Sequence, residues 1–249
     1  MFDPTGAFST SSDSTRPHLA YLSQGDKNFV VKSFVQRKVA EPKEQIEREL
    51  AAIETFTSLH VDVLQPVAGP FESLELLIDS ATKEFKWALV YPYRQVQTLQ
   101  ENLRQNFDLN LIEEAGRRIK QRHEGSRDLS AIHSDGAPHN IFVDWVWFDL
   151  GNEHRATDLS SAKAHEAWRF LAGSMAVNNV PEVDTDIVAA FDRGYQDRSI
   201  LKLALSAFGH RFAAVRLLSK PGKYRRWQRG DGQQLVRLRA SKSLATYLA

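Results

Sequence analysis

The sequence predicts an α+β chain in two parts, a smaller mixed part to about residue 92 and a larger, mainly helical part from 93 to 249. Two observations predict this division. Before Pro92, short apolar runs punctuated by turn residues surround a single helical stretch. Beyond Tyr93, apolar residues recur at three- and four-residue intervals, which is helical spacing. At 249 residues the chain is long enough for one large domain or for two lobes around a cleft.

The elements follow in order. Residues 1–17 are rich in Ser, Thr, Asp and Pro and read as loop, with room for a short first strand. Apolar runs at 18–24 and 29–35 flank Gly25-Asp26-Lys27-Asn28, a hairpin signal. From 42 to 59, Ile46, Leu50, Ile53 and Phe56 fall at helical spacing, with Glu and Arg on the other side. Strands are expected at 67–78 and 85–91, then a linker from Pro92 and Tyr93. Helices are expected at 99–105 and 109–123, and two very short strands at 141–143 and 146–148. Further helices are expected at 162–176, 184–195 and 200–218, and Lys220-Pro221-Gly222 breaks the last.

Composition narrows the function classes. The chain is 42% hydrophobic and 25% charged, ordinary for a soluble globular protein. Without cysteine it has no disulfide framework, no thiolate zinc site and no Cys nucleophile. No apolar run is long enough to span a bilayer, and the N-terminus lacks the basic start and apolar stretch of a signal peptide. A cytoplasmic location is the expectation. The net charge of +1 conceals an asymmetry: residues 211–249 carry ten Lys or Arg and one acid, the first 210 carry 22 basic and 30 acidic groups. Such a cationic end seeks phosphates, either of an anionic membrane surface, which would place the protein at the inner membrane face, or of a phosphorylated sugar core. No nucleic-acid-binding motif accompanies it.

The richest segment is 131–152, AIHSDGAPHNIFVDWVWFDLGN. It holds His133-x-Asp135, Asn140 five residues later, and Asp149-Leu150-Gly151 after two short apolar runs. The spacing H-x-D-x-x-x-x-N followed by Asp-x-Gly matches the kinase catalytic loop and metal loop. Phosphoryl transfer from ATP needs a carboxylate that orients an attacking hydroxyl, and an amide oxygen and a carboxylate that hold Mg²⁺ on the phosphates. On these residues the chain resembles the protein-kinase-like superfamily. The closest resemblance is to the small bacterial branch of aminoglycoside phosphotransferases and lipopolysaccharide-core (Kdo/heptose) kinases.

The resemblance implies a bilobal protein-kinase-like fold and a role for each residue. Asp135 would accept or orient the proton of the acceptor hydroxyl, and His133 would hold the catalytic loop by hydrogen bonds. Asn140 and Asp149 would be Mg²⁺ ligands, hard oxygen donors for a hard cation. Lys32, in Phe29-Val-Val-Lys-Ser, would reach the α- and β-phosphates of ATP, held by Glu49 of the following helix, with Glu47 as second choice. Backbone groups near Tyr91 and Tyr93 would meet the adenine. Asp158 would prop the catalytic-loop backbone or serve as a plain helix cap.

Departures from the pattern shape the acceptor. No G-x-G-x-x-G precedes Lys32, and Gly6-Ala-Phe-Ser-Thr-Ser-Ser is the only candidate phosphate loop. Asp135 is followed by Gly136-Ala137, so the assisting lysine of protein kinases is missing, and no activation loop with a phosphosite follows Asp149. These features favour a sugar, glycolipid or other small-molecule hydroxyl as acceptor. Two other readings use the same residues. One is a pseudokinase that docks partners without chemistry. The other is a hydrolase holding a divalent metal on His133, Asp135, His139 and Asp149.

Overall fold

Alternating strands with one apolar face have to bury that face and satisfy their edges, and here closure does both. The computed structural model describes residues 1–10, 19–34, 41–154, 156–177, 180–208 and 232–249. Strands β1 (Ala7–Thr10), β2 (Leu19–Gln24), β3 (Lys27–Ser33), β4 (Ala68–Ile78) and β5 (Ala81–Pro92) form a closed barrel in the order β1-β2-β3-β5-β4. All neighbours are antiparallel except β1 and β4, which run parallel with Ala7 opposite Leu77 and Phe8 opposite Ile78. Gly25-Asp26 turns the chain between Gln24 and Lys27. Asp79 and Ser80 turn it between Ile78 and Ala81 with φ of 50° and 67°, the twist a two-residue hairpin needs. Inside the barrel Phe2, Phe8, Leu22, Phe29, Val31, Leu76, Ile78, Ala88 and Val90 are packed, with the Phe2 ring 5.3 Å from those of Phe8 and Phe29.

Helix α1 (Pro42–Ser58) follows β3 and buries Ile46, Glu49, Ala52, Ile53 and Phe56, one stripe of an amphipathic helix. After β5 come α2 (Leu99–Gln105), α3 (Leu109–Gly125), α4 (Leu159–Val177), α5 (Asp184–Tyr195), α6 (Arg198–Phe208) and α7 (Gly232–Leu248). Thr98 starts α2 with a capping box to Glu101, and Asp108 caps α3. These helices share a second core in which Phe56, Tyr91, Leu103, Ile119, Trp147, Phe170 and Phe191 are buried. Trp147 belongs to a tight hairpin in which Ile141 pairs with Trp147 and Trp145 takes φ of 67°. Asp144 and Trp145 form its turn, where the Trp145 N–H donates to Phe142 O at 2.8 Å.

The expected bilobal protein-kinase-like fold is corrected. The chain is mixed α/β, and its strands close into a five-stranded barrel instead of forming the sheet of a kinase small lobe. The reason lies in β1. Its Ser- and Thr-rich sequence reads as loop with room for a short strand, but the parallel pairing of β1 with β4, which buries Phe8, joins segments about 70 residues apart that no turn signal connects. Residues 232–248 lie in the stretch read as a basic tail. They form α7, which buries Ala240 and Leu244 and ties Arg239 to Asp184 through bonds of 2.7 and 2.8 Å. The remainder of the tail at 211–231 and the helix expected over 209–218 lie outside the described residues. No helix among the described residues is long and apolar enough to cross a membrane.

If β1 closes the barrel, Phe8→Ala should lower stability by about 3–5 kcal/mol, the cost of deleting a buried phenyl ring. Urea unfolding measures this, and a loss under about 1 kcal/mol would leave β1 outside the core.

Candidate active site

Three parts of the chain meet at Lys32. Its Nζ lies 2.5 Å from Glu49 Oε2 and 2.7 Å from Asp149 Oδ1, so β3, α1 and the segment after the 141–148 hairpin are joined by one ammonium. Glu49 is fixed from its other side, where the Tyr91 hydroxyl donates to Oε1 at 2.5 Å. Burial disfavours an ammonium at Lys32, but the two carboxylates outweigh it and hold the amine above its ordinary value. Burial would likewise raise the Asp149 carboxyl, and Lys32 reverses this and holds it below the usual carboxylate range. Burial and Glu49 push the Tyr91 phenol well up, so it stays a donor.

The Asp149 side chain keeps 41% of its exposure, and its φ is +58°, a left-handed conformation that a non-glycine residue adopts at some cost. The glycine two residues on makes this approach possible. A Cβ at Gly151 would sit 2.6 Å from Glu49 Oε2 and 3.1 Å from Gln45 O, so any side chain there would push α1 away from the Lys32 cluster.

The loop carrying Asp135 is tied to the same point. His133 Nε2 donates to Phe148 O at 2.9 Å, next to Asp149, and His133 Nδ1 accepts from the Asp135 N–H at 3.1 Å. Both ring nitrogens are occupied, and burial holds the imidazole below its ordinary pKa, so it is neutral and positional. Asn140 donates through Nδ2 to Asp135 O at 2.8 Å and accepts the Phe148 N–H on its backbone oxygen at 3.1 Å. Its Oδ1 carries no hydrogen bond among the described residues, one residue along the pairing from Asp149. An amide oxygen and a carboxylate are the donor types that suit a hard cation such as Mg²⁺, which takes few protein ligands and completes its shell with water and phosphate oxygens.

Two residues behind this loop escape sequence reasoning. Glu166, in the middle of α4, is fully buried; its Oε1 pairs with Arg122, and its Oε2 accepts from His123 Nε2 at 2.9 Å and from the His133 N–H at 3.1 Å. Arg122 also donates to Ala131 O at 3.1 Å and lies over the rings of Phe56 and Trp147, at 4.5 and 4.6 Å. One helical turn beyond Glu166, Arg169 donates from Nε and Nη2 to Asp135 Oδ1 at 2.8 and 2.5 Å. The readable signal was two charges in the apolar run Ala164–Met175, because a buried charge demands a partner.

The other expected residues fall elsewhere. Glu47 is exposed, and Glu49 alone reaches Lys32. Tyr93 is exposed, with its N–H donating to Asn28 O at 2.9 Å and its ring edge-on to Tyr21. Asp158 caps α4 through the Ser161 N–H at 2.9 Å and does not touch the loop; Glu166 props it instead. The candidate phosphate loop at 6–12 is mostly β1, paired on both sides, and its last two serines lie outside the described residues. The metal-hydrolase ligand set is not assembled: His133 has no free ring nitrogen, and the described residues hold no metal-binding group of three His, Cys, Asp or Glu.

No protein-family model and no curated protein matches the chain. Among solved structures it is similar to one described as "WaaP in complex with acyl carrier protein", at 12% identity and a TM-score of 0.46, covering 80% of this chain and 82% of that one. A likeness at that level carries no chemistry, which comes from the site's own residues.

Two outcomes follow from the buried network. Burial holds His123, His133 and His154 below the ordinary 6.5. An unfolded chain therefore takes up protons first as pH falls, and stability, level above about 6.5, should decline below it. Urea midpoints at about pH 8 and about pH 5.5 measure this, and equal midpoints would refute it. Glu166→Gln strands the Arg122 charge in the core and should cost about 3–5 kcal/mol in the same assay.

Proposed function

We propose that this chain is an ATP- and Mg²⁺-dependent phosphotransferase that moves the γ-phosphoryl group to a hydroxyl of a sugar, a glycolipid such as lipopolysaccharide core, or another small molecule. The observation that carries the reading is Lys32 bridging Glu49 and Asp149, 17 and 117 residues away, beside the loop that presents Asp135 and Asn140. One ammonium between two carboxylates leaves the cluster with a net negative charge, and the half-buried Asp149 is where a divalent cation would offset it. Mg²⁺ bound there would neutralise phosphate charge and orient the transferring group.

Each residue then has a defined task. Glu49, fixed by Tyr91, keeps Lys32 extended toward the site, where its Nζ can leave Asp149 for a phosphate oxygen. Asn140 Oδ1 and the Asp149 carboxylate hold the metal. Asp135 Oδ2 accepts the acceptor proton, and neutral His133 fixes the spacing between Asp135 and the Asp149 segment. Arg239, one of the ten basic residues counted in the tail, is engaged by Asp184 and is not among those available to an anionic surface.

A second reading, a docking module of weak nucleotide affinity, is favoured by one observation: the candidate phosphate loop is strand β1, whose ladder bonds occupy backbone groups a phosphate would need. Titration with ATP and Mg²⁺ separates the two. A phosphotransferase should be stabilised by about 2.7 kcal/mol at a hundredfold excess over Kd, raising Tm by several degrees, and Lys32→Met should lose most of the rise. It should also form ADP, abolished in Asp135→Ala and Asp149→Ala proteins that remain folded. Undiminished ADP formation in both variants would refute the assignment.

A further inference from the structure

Asp135 is held by a cation that its own loop does not supply. Gly136-Ala137 follow it, so the two residues after it bring no positive charge. Arg169 arrives instead from α4, and both of its hydrogen bonds fall on the same oxygen, Oδ1. The other oxygen, Oδ2, has the His139 ring nitrogen at 3.9 Å, beyond hydrogen-bond reach. A planar guanidinium on one carboxylate oxygen resists rotation of the group and leaves the second oxygen open.

The rest of α4 makes this contact selective. Glu166, Arg169 and Gly173 are three and four residues apart and share one helix face. Glu166 accepts the His133 N–H at 3.1 Å, Arg169 holds Asp135, and a Cβ at Gly173 would come within 2.5 Å of Pro138 Cδ. The face therefore grips the loop at 133, 135 and 138 in order.

We propose that Arg169 is a positioning residue for phosphoryl transfer: it fixes Asp135 Oδ1 so that Oδ2 alone faces the acceptor hydroxyl, and it offsets the carboxylate charge as the phosphoryl group approaches. This rests on the phosphotransferase reading above. In the step it serves, the acceptor O–H bond breaks and its proton passes to Asp135 Oδ2. The acceptor oxygen bonds to the γ-phosphorus, and the bond from that phosphorus to the β,γ-bridging oxygen breaks, its electron pair leaving with ADP. Arg169 exchanges no proton.

ATP with Mg²⁺, and water as acceptor, is the probe, with ADP formation and the melting temperature measured in parallel. Arg169→Met should lower kcat about 100-fold, the scale of a misplaced reacting group, while KM for ATP changes less than about twofold. Arg169→Lys should fall between it and the wild type. In an Asp135→Asn background Arg169→Met should add no further loss, because both act through one carboxylate. If Arg169→Met fails to fold, Arg169→Lys carries the test, and a kcat loss at unchanged KM in that folded variant supports the proposal. Full activity in Arg169→Met, a loss confined to KM, or additive losses in the double variant would overturn it alone. A wild-type protein that forms no ADP would overturn the phosphotransferase reading and the role of Arg169 together.

Discussion

The Glu166 carboxylate has no contact with water, and much of the molecule is arranged around satisfying it. An unpaired charge at such a depth would cost several kcal/mol, so the fold depends on delivering its partners together. They come from two places: Arg122 and His123 from the end of α3, and the His133 N–H from the loop ahead of Asp135. Arg122 extends the arrangement outward, lying over Phe56 of α1 and Trp147 of the hairpin. The helical core and the candidate site are therefore one construction, and their stabilities cannot be tuned independently.

A second constraint joins that construction to the barrel. Lys32 is the point at which β3 reaches across to Asp149, and Tyr91 of β5 supports Glu49 from the same side. Burial alone would strip the amine of its charge; two carboxylates restore it, and the neighbouring strand supplies the hydroxyl that keeps one of them oriented. The close pass of Gly151 shows how little room the arrangement leaves.

Much of the site was legible because its residues form motifs with short spacing. His133, Asp135, Asn140 and Asp149 lie within one stretch, and the choice of Glu49 over Glu47 followed from helical periodicity, since only Glu49 is on the buried edge of α1. Helices 99–105 and 184–195 were legible to the residue from their apolar spacing. What could not be read depended on pairing at a distance. Strand β1 joins β4 without any local signal, and Phe8 gives one apolar side chain as a hint. Arg169 and Glu166 were unreadable as partners because a sequence reports that a buried charge needs a counterpart but not which one. Helix α7 could not be read because its apolar residues follow no amphipathic stripe and its basic residues suggested a solvated tail, whereas the fold turns Arg239 inward to Asp184.

The face of α4 has a mechanical consequence. A helix is stiff over its length, and successive residues turn by about 100°. Contacts at 166, 169 and 173 therefore shift as a set when α4 slides or rolls, so the loop follows one coordinate where three separate tethers would allow three. A small roll of α4 would release the His133 backbone, the Asp135 carboxylate and the Pro138 ring together. Whatever shifts α6 or α7, which pack against that helix, acts on the loop as on the far end of a lever.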